Sequence, residues 1–467
     1  MTPVLTAPAH SAFQDFTAAA KEGGTPLDHQ LGLVWVAPFA LMLLSIAVLP
    51  LLAPHWWESN LNKGIVSAVF ALPVVLYIVM VESSRLIETG IEYAAFMALL
   101  AALFIISGGI YLRGSLSGTP FSNTVVLAIG AIFANLIGTT GASMLLVRPV
   151  LRANERRRHQ VHIVVFFIFI VSNIGGMLTP LGDPPLFLGF LRGVPFEWTI
   201  RLLPHWLTMI ATLLIIFYAW DRRRFEAERT IRQEAVSTGF EVRERLHVEG
   251  KVNFLLLLGV LAVAFVIGRF GAQIGLQSDY ARRGGQIVGM GVLAGLSLLM
   301  TRQETRAANG FTLSPIVEVA VIFAGIFATM IPALVILESR GGELGLTHPW
   351  QFFWVTGLLS SFLDNAPTYL TFTSMASGLM GTEAAHLGEL LRAVAGGLDG
   401  ETLLTAISVG AVSMGANTYI GNGPNFMVKA IAEEAGVKMP SFFGYMKYAI
   451  GILLPLFLLV TLVFFRS

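Results

Sequence analysis

Two aspartates stand where an acid is costly to place. Asp183 lies in the run Thr179-Pro180-Leu181-Gly182-Asp183-Pro184-Pro185, and Asp364 in Leu363-Asp364-Asn365-Ala366-Pro367. Both runs interrupt long apolar stretches. An ionisable group at the centre of a membrane helix costs about 2.5–3.5 kcal/mol on insertion scales, so such groups mark ion and proton pathways. Both aspartates also sit at Gly/Pro-rich chain breaks, where a half-helix ends with unpaired amides or carbonyls. One carboxylate with hydroxyl, amide and carbonyl oxygens is the donor set of a small hard cation such as Na⁺. Removing a carboxylate from water favours its protonated form. The same group could therefore take a proton when the cation leaves, which is cation/proton exchange at one acid. Each aspartate equally suits a helix N-cap, where a carboxylate is favoured without any ligand.

The candidate ion- and proton-binding residues are Asp183, Asp364, Asn365, Thr139, Thr140, Thr368, Ser172, Asn173, Thr179, Asn417, Thr418 and Asn422, with Ser143, Ser413 and Asn425 close in sequence. Singly, each of the neutral ones could bond back to its own helix. Their clustering at four breaks in apolar sequence is the informative feature. Arg148 and Lys429 are the candidate contacts for an anionic substrate; each could instead extend its charge to the membrane surface. Glu82, Glu92, Glu318 and His162 lie near the ends of apolar runs and are read as interfacial.

The elements that must position these residues follow from composition. The chain has 467 residues, of which 55% are hydrophobic and 13% charged, with a mean hydropathy of +0.72. Ordinary soluble domains carry about 25% charge. This excludes a disordered chain, a coiled coil and a nucleic-acid partner, and argues against a soluble enzyme. Basic and acidic residues balance at 30 to 29, and there is no cysteine, so thiolate chemistry and disulfides are absent. The expected fold is an all-α polytopic membrane protein.

Apolar runs recur at 31–53, 64–82, 93–112, 161–191, 205–220, 252–271, 285–300, 313–337, 401–432 and 448–465. Each can span a hydrocarbon core of about 30 Å. Two more, 122–151 and 351–376, are broken at Gly138-Thr139-Thr140-Gly141 and at Asp364-Asn365-Ala366-Pro367. These read as re-entrant hairpins, which membranes tolerate only where they are buried in protein or line a cavity. Residues 1–30 show no signal-peptide pattern. The basic segments 152–158 and 221–251 belong on the cytoplasmic side. That places both termini on the periplasmic side, with the first hairpin entering from the cytoplasm and the second from the periplasm.

The 221–251 segment then reads as a cytoplasmic linker between two halves, 31–220 and 252–467. Each half comprises three helices, a hairpin, a broken helix (161–191 and 401–432) and a last helix. Thr179 and Thr418, Gly182 and Gly421, Pro185 and Pro424, and Phe187 and Phe426 fall in one register, with Asp183 on Asn422. An odd number of crossings per half makes the repeats inverted, an arrangement of transporters with the site between paired broken helices. No HExxH zinc motif and no Walker A loop occur. Pro180 replaces the first Gly of the Gly-x-Gly-Asp motif of intramembrane aspartyl proteases, and Leu363 replaces the Tyr before their other aspartate.

At these residues the chain resembles the ion transporter superfamily, which includes NhaD-type sodium/proton antiporters, arsenite exporters, the melanosomal P protein, and citrate and dicarboxylate transporters. The likeness lies in Ser172-Asn173-Ile174-Gly175-Gly176-Met177-Leu178-Thr179-Pro180-Leu181-Gly182-Asp183, in Ser361-Phe362-Leu363-Asp364-Asn365-Ala366-Pro367-Thr368, and in Met414-Gly415-Ala416-Asn417-Thr418-Tyr419-Ile420-Gly421-Asn422. The second run is similar to the Asp-Asn-x-Pro hairpin of NhaD-type antiporters. The resemblance implies a homodimer in the cytoplasmic membrane, a scaffold against which a transport domain moves as an elevator, and an ion site made by both hairpin tips and both helix breaks. Symporters of the group carry Ser-Asn-Thr at both tips, whereas this chain has Gly138-Thr139-Thr140 and Asp364-Asn365-Ala366. An additional acid repels an anionic substrate. The resemblance therefore favours Na⁺ (or Li⁺) exchange for H⁺ at Asp183 and Asp364, without a cofactor. Sodium-coupled citrate or dicarboxylate uptake is the alternative.

Overall fold

The computed structural model describes residues 31–113, 117–233, 247–340 and 345–466. Among the described residues helix predominates, with four short strands. Three long helices come first: α1 (Ala37–Leu52), α2 (Asn60–Val81) and α3 (Ser83–Ser107). Next come α4 (Pro120–Ala153), the short α5 (Val161–Ile170) and α6 (Pro184–Leu191), and the long α7 (Leu203–Gln233). The order then recurs as α8 (Val252–Phe270), α9 (Asp279–Met300), α10 (Ser314–Arg340), α11 (Pro349–Ser360), α12 (Asn365–Met380), α13 (Gly400–Met414), α14 (Gly423–Glu434) and α15 (Phe442–Phe464).

Helix α4 is two arms. Its 34 residues, if straight, would span about 50 Å at 1.5 Å per residue. Yet Asn123 and Asn154, near its two ends, exchange side-chain hydrogen bonds of 3.0 and 2.9 Å. The chain reverses at Gly138, whose φ of 75° and ψ of 156° favour a residue without Cβ. Helices α11 and α12 form the second hairpin, joined by Ser361 to Asp364.

Among the described residues ten helical stretches are long and apolar enough to cross a membrane. The folded-back Pro120–Ala153 is counted among them, while the 400–434 region is not. Hydropathy does not register a reversal, and α13 and α14 are each too short once Met414 ends the first. The chain is a multi-pass membrane protein, and its lipid-facing surface follows from this.

The first three helices of each half pack together, with α2 and α3 against α10 and α3 against α9. The hairpins and broken helices pack among themselves. Each outer half-helix reaches the other half's hairpin: α14 lies on α4, and α6 lies on α12. The expected linker at 221–251 begins as the last turns of α7. Its residues 234–246 lie outside the described residues, as does the segment 1–30. The strand His247–Glu249 pairs antiparallel with Tyr111–Arg113, tying the chain after α7 to the chain after α3.

Candidate functional site

Each broken helix needs a tight backbone approach. In the first, a Cβ on Gly182 would lie 2.0 Å from the Gly176 carbonyl oxygen. In the second, a Cβ on Gly421 would lie 2.6 Å from the Gly415 oxygen and 2.7 Å from the Ser360 oxygen. Only glycine allows these strands of irregular backbone to touch. Each break is also pinned to its own hairpin tip by one threonine. The Thr179 hydroxyl donates to the Asn135 carbonyl, and the Thr418 hydroxyl donates to the Ser361 carbonyl. Asn135 and Ser361 each stand three residues before the reversal point, Gly138 or Asp364.

This scaffolding brings Asp183 to the meeting point of both tips. Its side chain is 1% exposed. Oδ1 accepts a hydrogen bond from Thr139 Oγ1 at 3.0 Å, and Oδ2 accepts one from Asn365 Nδ2. The Thr139 amide also donates to the Gly182 carbonyl at 2.9 Å. Asp183 occupies the N-cap position of α6 but makes no side-chain cap bond. Its carboxylate is committed to the hairpin tips instead. Asp364 behaves in the other way. It is half-buried, caps α12, and accepts from the Ala366 amide at 3.4 Å. Asp364 thus makes the capping bond that Asp183 lacks.

Asn365 is fully buried, and its Oδ1 has no hydrogen-bond partner among the described residues. A buried oxygen without a donor is costly, and this one belongs to the amide that touches Asp183. On its other side Asp183 borders a small cavity of about 90 Å³, lined also by Gly138, Thr139, Thr140, Leu181 and Phe187 and by no residue of the second hairpin. Its far wall comes from α3 at Leu99, Leu103 and Phe104 and from α10 at Pro315, Ile316 and Val319. No Lys or Arg lines it. Among the described residues no three His, Asp or Glu side chains converge. A cation here would meet the Asp183 carboxylate beside Thr139 and Thr140.

The remaining candidates bond mostly to one another and to the backbone of the breaks. Ser172 Oγ bonds Ser143 Oγ at 2.8 Å. Asn173 Nδ2 donates to Ile168 O and to Asn425 Oδ1, and Asn422 Nδ2 donates to Ser172 O and Asn173 Oδ1. Asn425 in turn donates to the Gly415 and Thr418 carbonyls. These contacts join the two breaks to each other. Asn417 donates to Ser361 Oγ at 2.9 Å, and Thr368 donates to the Asp364 carbonyl of its own helix.

Arg148 and Lys429 point elsewhere. Arg148 Nη1 donates to the Asn309 carbonyl, and Lys429 Nζ is 2.8 Å from Glu433, above the rings of Tyr419 and Phe426. Two of the residues read as interfacial are buried within the protein. Glu92 is 6% exposed and held by Arg192. His162 is 4% exposed and bonds Asp221 at 2.8 Å, beside Arg157. Both residues acquire buried partners from distant sequence, Arg192 and Asp221, which hydropathy cannot display. Asn135, which holds the first break to its hairpin, is the neighbour that sequence reasoning missed. Its mirror position to Ser361 about the hairpin tip was the available signal.

A family model described as "Putative citrate transport" matches residues 28–465. Similar proteins include a 46 kDa membrane protein of Mycobacterium leprae, 24% identical over 78% of this chain and 84% of its own length. Uncharacterized transporters of Mycobacterium bovis and Mycobacterium tuberculosis are each 24% identical over 81% of this chain and 88% of theirs.

Proposed function

The chain belongs to that citrate-transport family and is a membrane transporter; on this premise we propose that it is a secondary active antiporter exchanging Na⁺, or Li⁺, for H⁺. Asp183 binds the cation and the proton in turn. Thr139, Thr140 and Asn365 complete the cation's shell from the hairpin tips, with Asp364 as the neighbouring acid. The observation that carries this reading is the contact of both tips with one buried carboxylate in a cavity lined by no basic side chain. A buried acid in a cavity without basic side chains suits a cation and a proton competing for one place. Two equivalent break-and-hairpin units support inverted repeats around that place. The hairpins and broken helices would travel as one body along α3 and α10 in each protomer of a dimer, in the cytoplasmic membrane, with both termini outside.

A second reading rests on the family's description: sodium-coupled uptake of citrate or a dicarboxylate. It requires a basic or donor-rich anion site, and Arg148 and Lys429 are otherwise engaged. Radioactive-sodium binding to the purified protein tests the main reading. Competition by protons should weaken sodium binding as pH falls, and Asp183→Asn should abolish it. Sodium binding that is indifferent to pH and persists in Asp183→Asn would overturn the proposal.

A further inference from the structure

Asp183 and Arg192 stand at the two ends of α6. At the Arg192 end lies a separate cavity of about 600 Å³. It borders α3 at Arg85, Glu88 and Glu92 and α10 from Met330 to Glu338. The Asp183 cavity borders the same two helices at their opposite ends. Along α3 the two openings are about 20 Å apart, at 1.5 Å per residue.

In the wall of this larger cavity stands a buried ion pair. Arg192 Nε and Nη2 donate to the two carboxylate oxygens of Glu92 at 2.7 and 3.3 Å, and each side chain is 8% exposed. Arg192 Nη1 also donates to the Ala384 carbonyl, and the Gly388 amide donates to the Arg192 carbonyl. Arg192 is therefore fastened to the segment beyond the second hairpin, and its side chain crosses from there to α3. A buried ion pair is weak evidence of added stability, since an apolar pair often serves as well, and its best-attested use is in fixing a register or a switch.

We propose that Glu92–Arg192 is a releasable latch that holds the Asp183 cavity at its present end of α3 and α10. The proposal rests on the travelling-body reading above. For Asp183 to face the other side, α6 must move toward the Arg85 end of α3, and this pair must part. The adjoining cavity gives both freed charges access to water, so the break is reversible.

The chain contains no cysteine, so one introduced thiol reports without background. Ile137→Cys, on the hairpin wall of the Asp183 cavity, would be labelled with a membrane-impermeant maleimide added to the Glu88 side of oriented vesicles. Releasing the latch with Glu92→Gln, or with Glu92→Gln and Arg192→Gln together so that no unpaired charge is buried, should raise that labelling about tenfold, as expected for a minor conformer becoming common. The reversed pair, Glu92→Arg with Arg192→Glu, should bring it back toward the parent rate. Unchanged labelling in the folded neutral pair, or a rise that the reversed pair does not lower, would overturn the latch. Labelling requires no driving ion, so it reads the latch whichever substrate is carried. If the hairpin does not travel at all, labelling from that side stays at background in every variant, which overturns the latch together with the motion but leaves the sodium-binding result at Asp183 untouched.

Discussion

Asn365 donates its side-chain amide to the carboxylate of Asp183 across 182 residues of sequence. The contact joins the tip of the second hairpin to the break of the first broken helix. Asp183→Asn preserves shape and removes charge, so exchange should fall to the level of empty vesicles while the protein remains folded. Thr139→Ala removes one hydrogen bond to a charged group, worth about 1.5–3 kcal/mol. Apparent Na⁺ affinity should drop by roughly tenfold or more, measured as the concentration dependence of exchange.

The two glycine contacts make a structural prediction. Gly182→Ala and Gly421→Ala each force a Cβ into backbone oxygen. Each should destabilise by more than about 3 kcal/mol, as strain at a fixed backbone does. Gly423→Ala meets nothing within 4 Å and should be tolerated. Thermal unfolding in detergent compares the three.

At the far end of the first hairpin, Asp221 accepts from Asn123 at 3.0 Å and lies 2.6 Å from Arg157. Asp221→Asn would leave Arg157, which is 5% exposed, short of its nearest charge. The expected loss is about 3–5 kcal/mol, the cost of breaking one side of a buried pair. Unfolding temperature reads it directly, and a neutral result would show that Glu228, 3.5 Å from Arg157, suffices.

Arg148 and Lys429 separate the two transport readings. If cations are exchanged at Asp183, Lys429→Ala and Arg148→Gln should alter the exchange rate by no more than about twofold, since neither side chain lines the Asp183 cavity and separate sites act independently. Loss of citrate accumulation in either variant would favour the carboxylate reading.

Much of this was legible in the sequence, for identifiable reasons. Apolar runs report spans because lipid offers no hydrogen bonds. The four breaks were legible because Gly, Pro and acids are costly there. The all-α membrane fold followed. What eluded the sequence was pairing at distance. Nothing local distinguishes Asp364, which caps its helix, from Asp183, which does not. That difference depends on Thr139 and Asn365 arriving from both hairpins. Glu92 and His162 looked interfacial for the same reason, because their partners Arg192 and Asp221 are remote. Asn135 escaped notice inside an apolar helix, although it holds both the Thr179 hydroxyl and the Leu178 amide.

The most direct measurement uses purified protein in proteoliposomes with an acidic lumen and an internal pH dye. Na⁺, Li⁺, K⁺ or citrate is added outside. Alkalinisation of the lumen on adding Na⁺ or Li⁺, absent with K⁺ or citrate and lost in Asp183→Asn, is the predicted result. No alkalinisation with any cation, together with Na⁺-dependent accumulation of labelled citrate, would contradict the account.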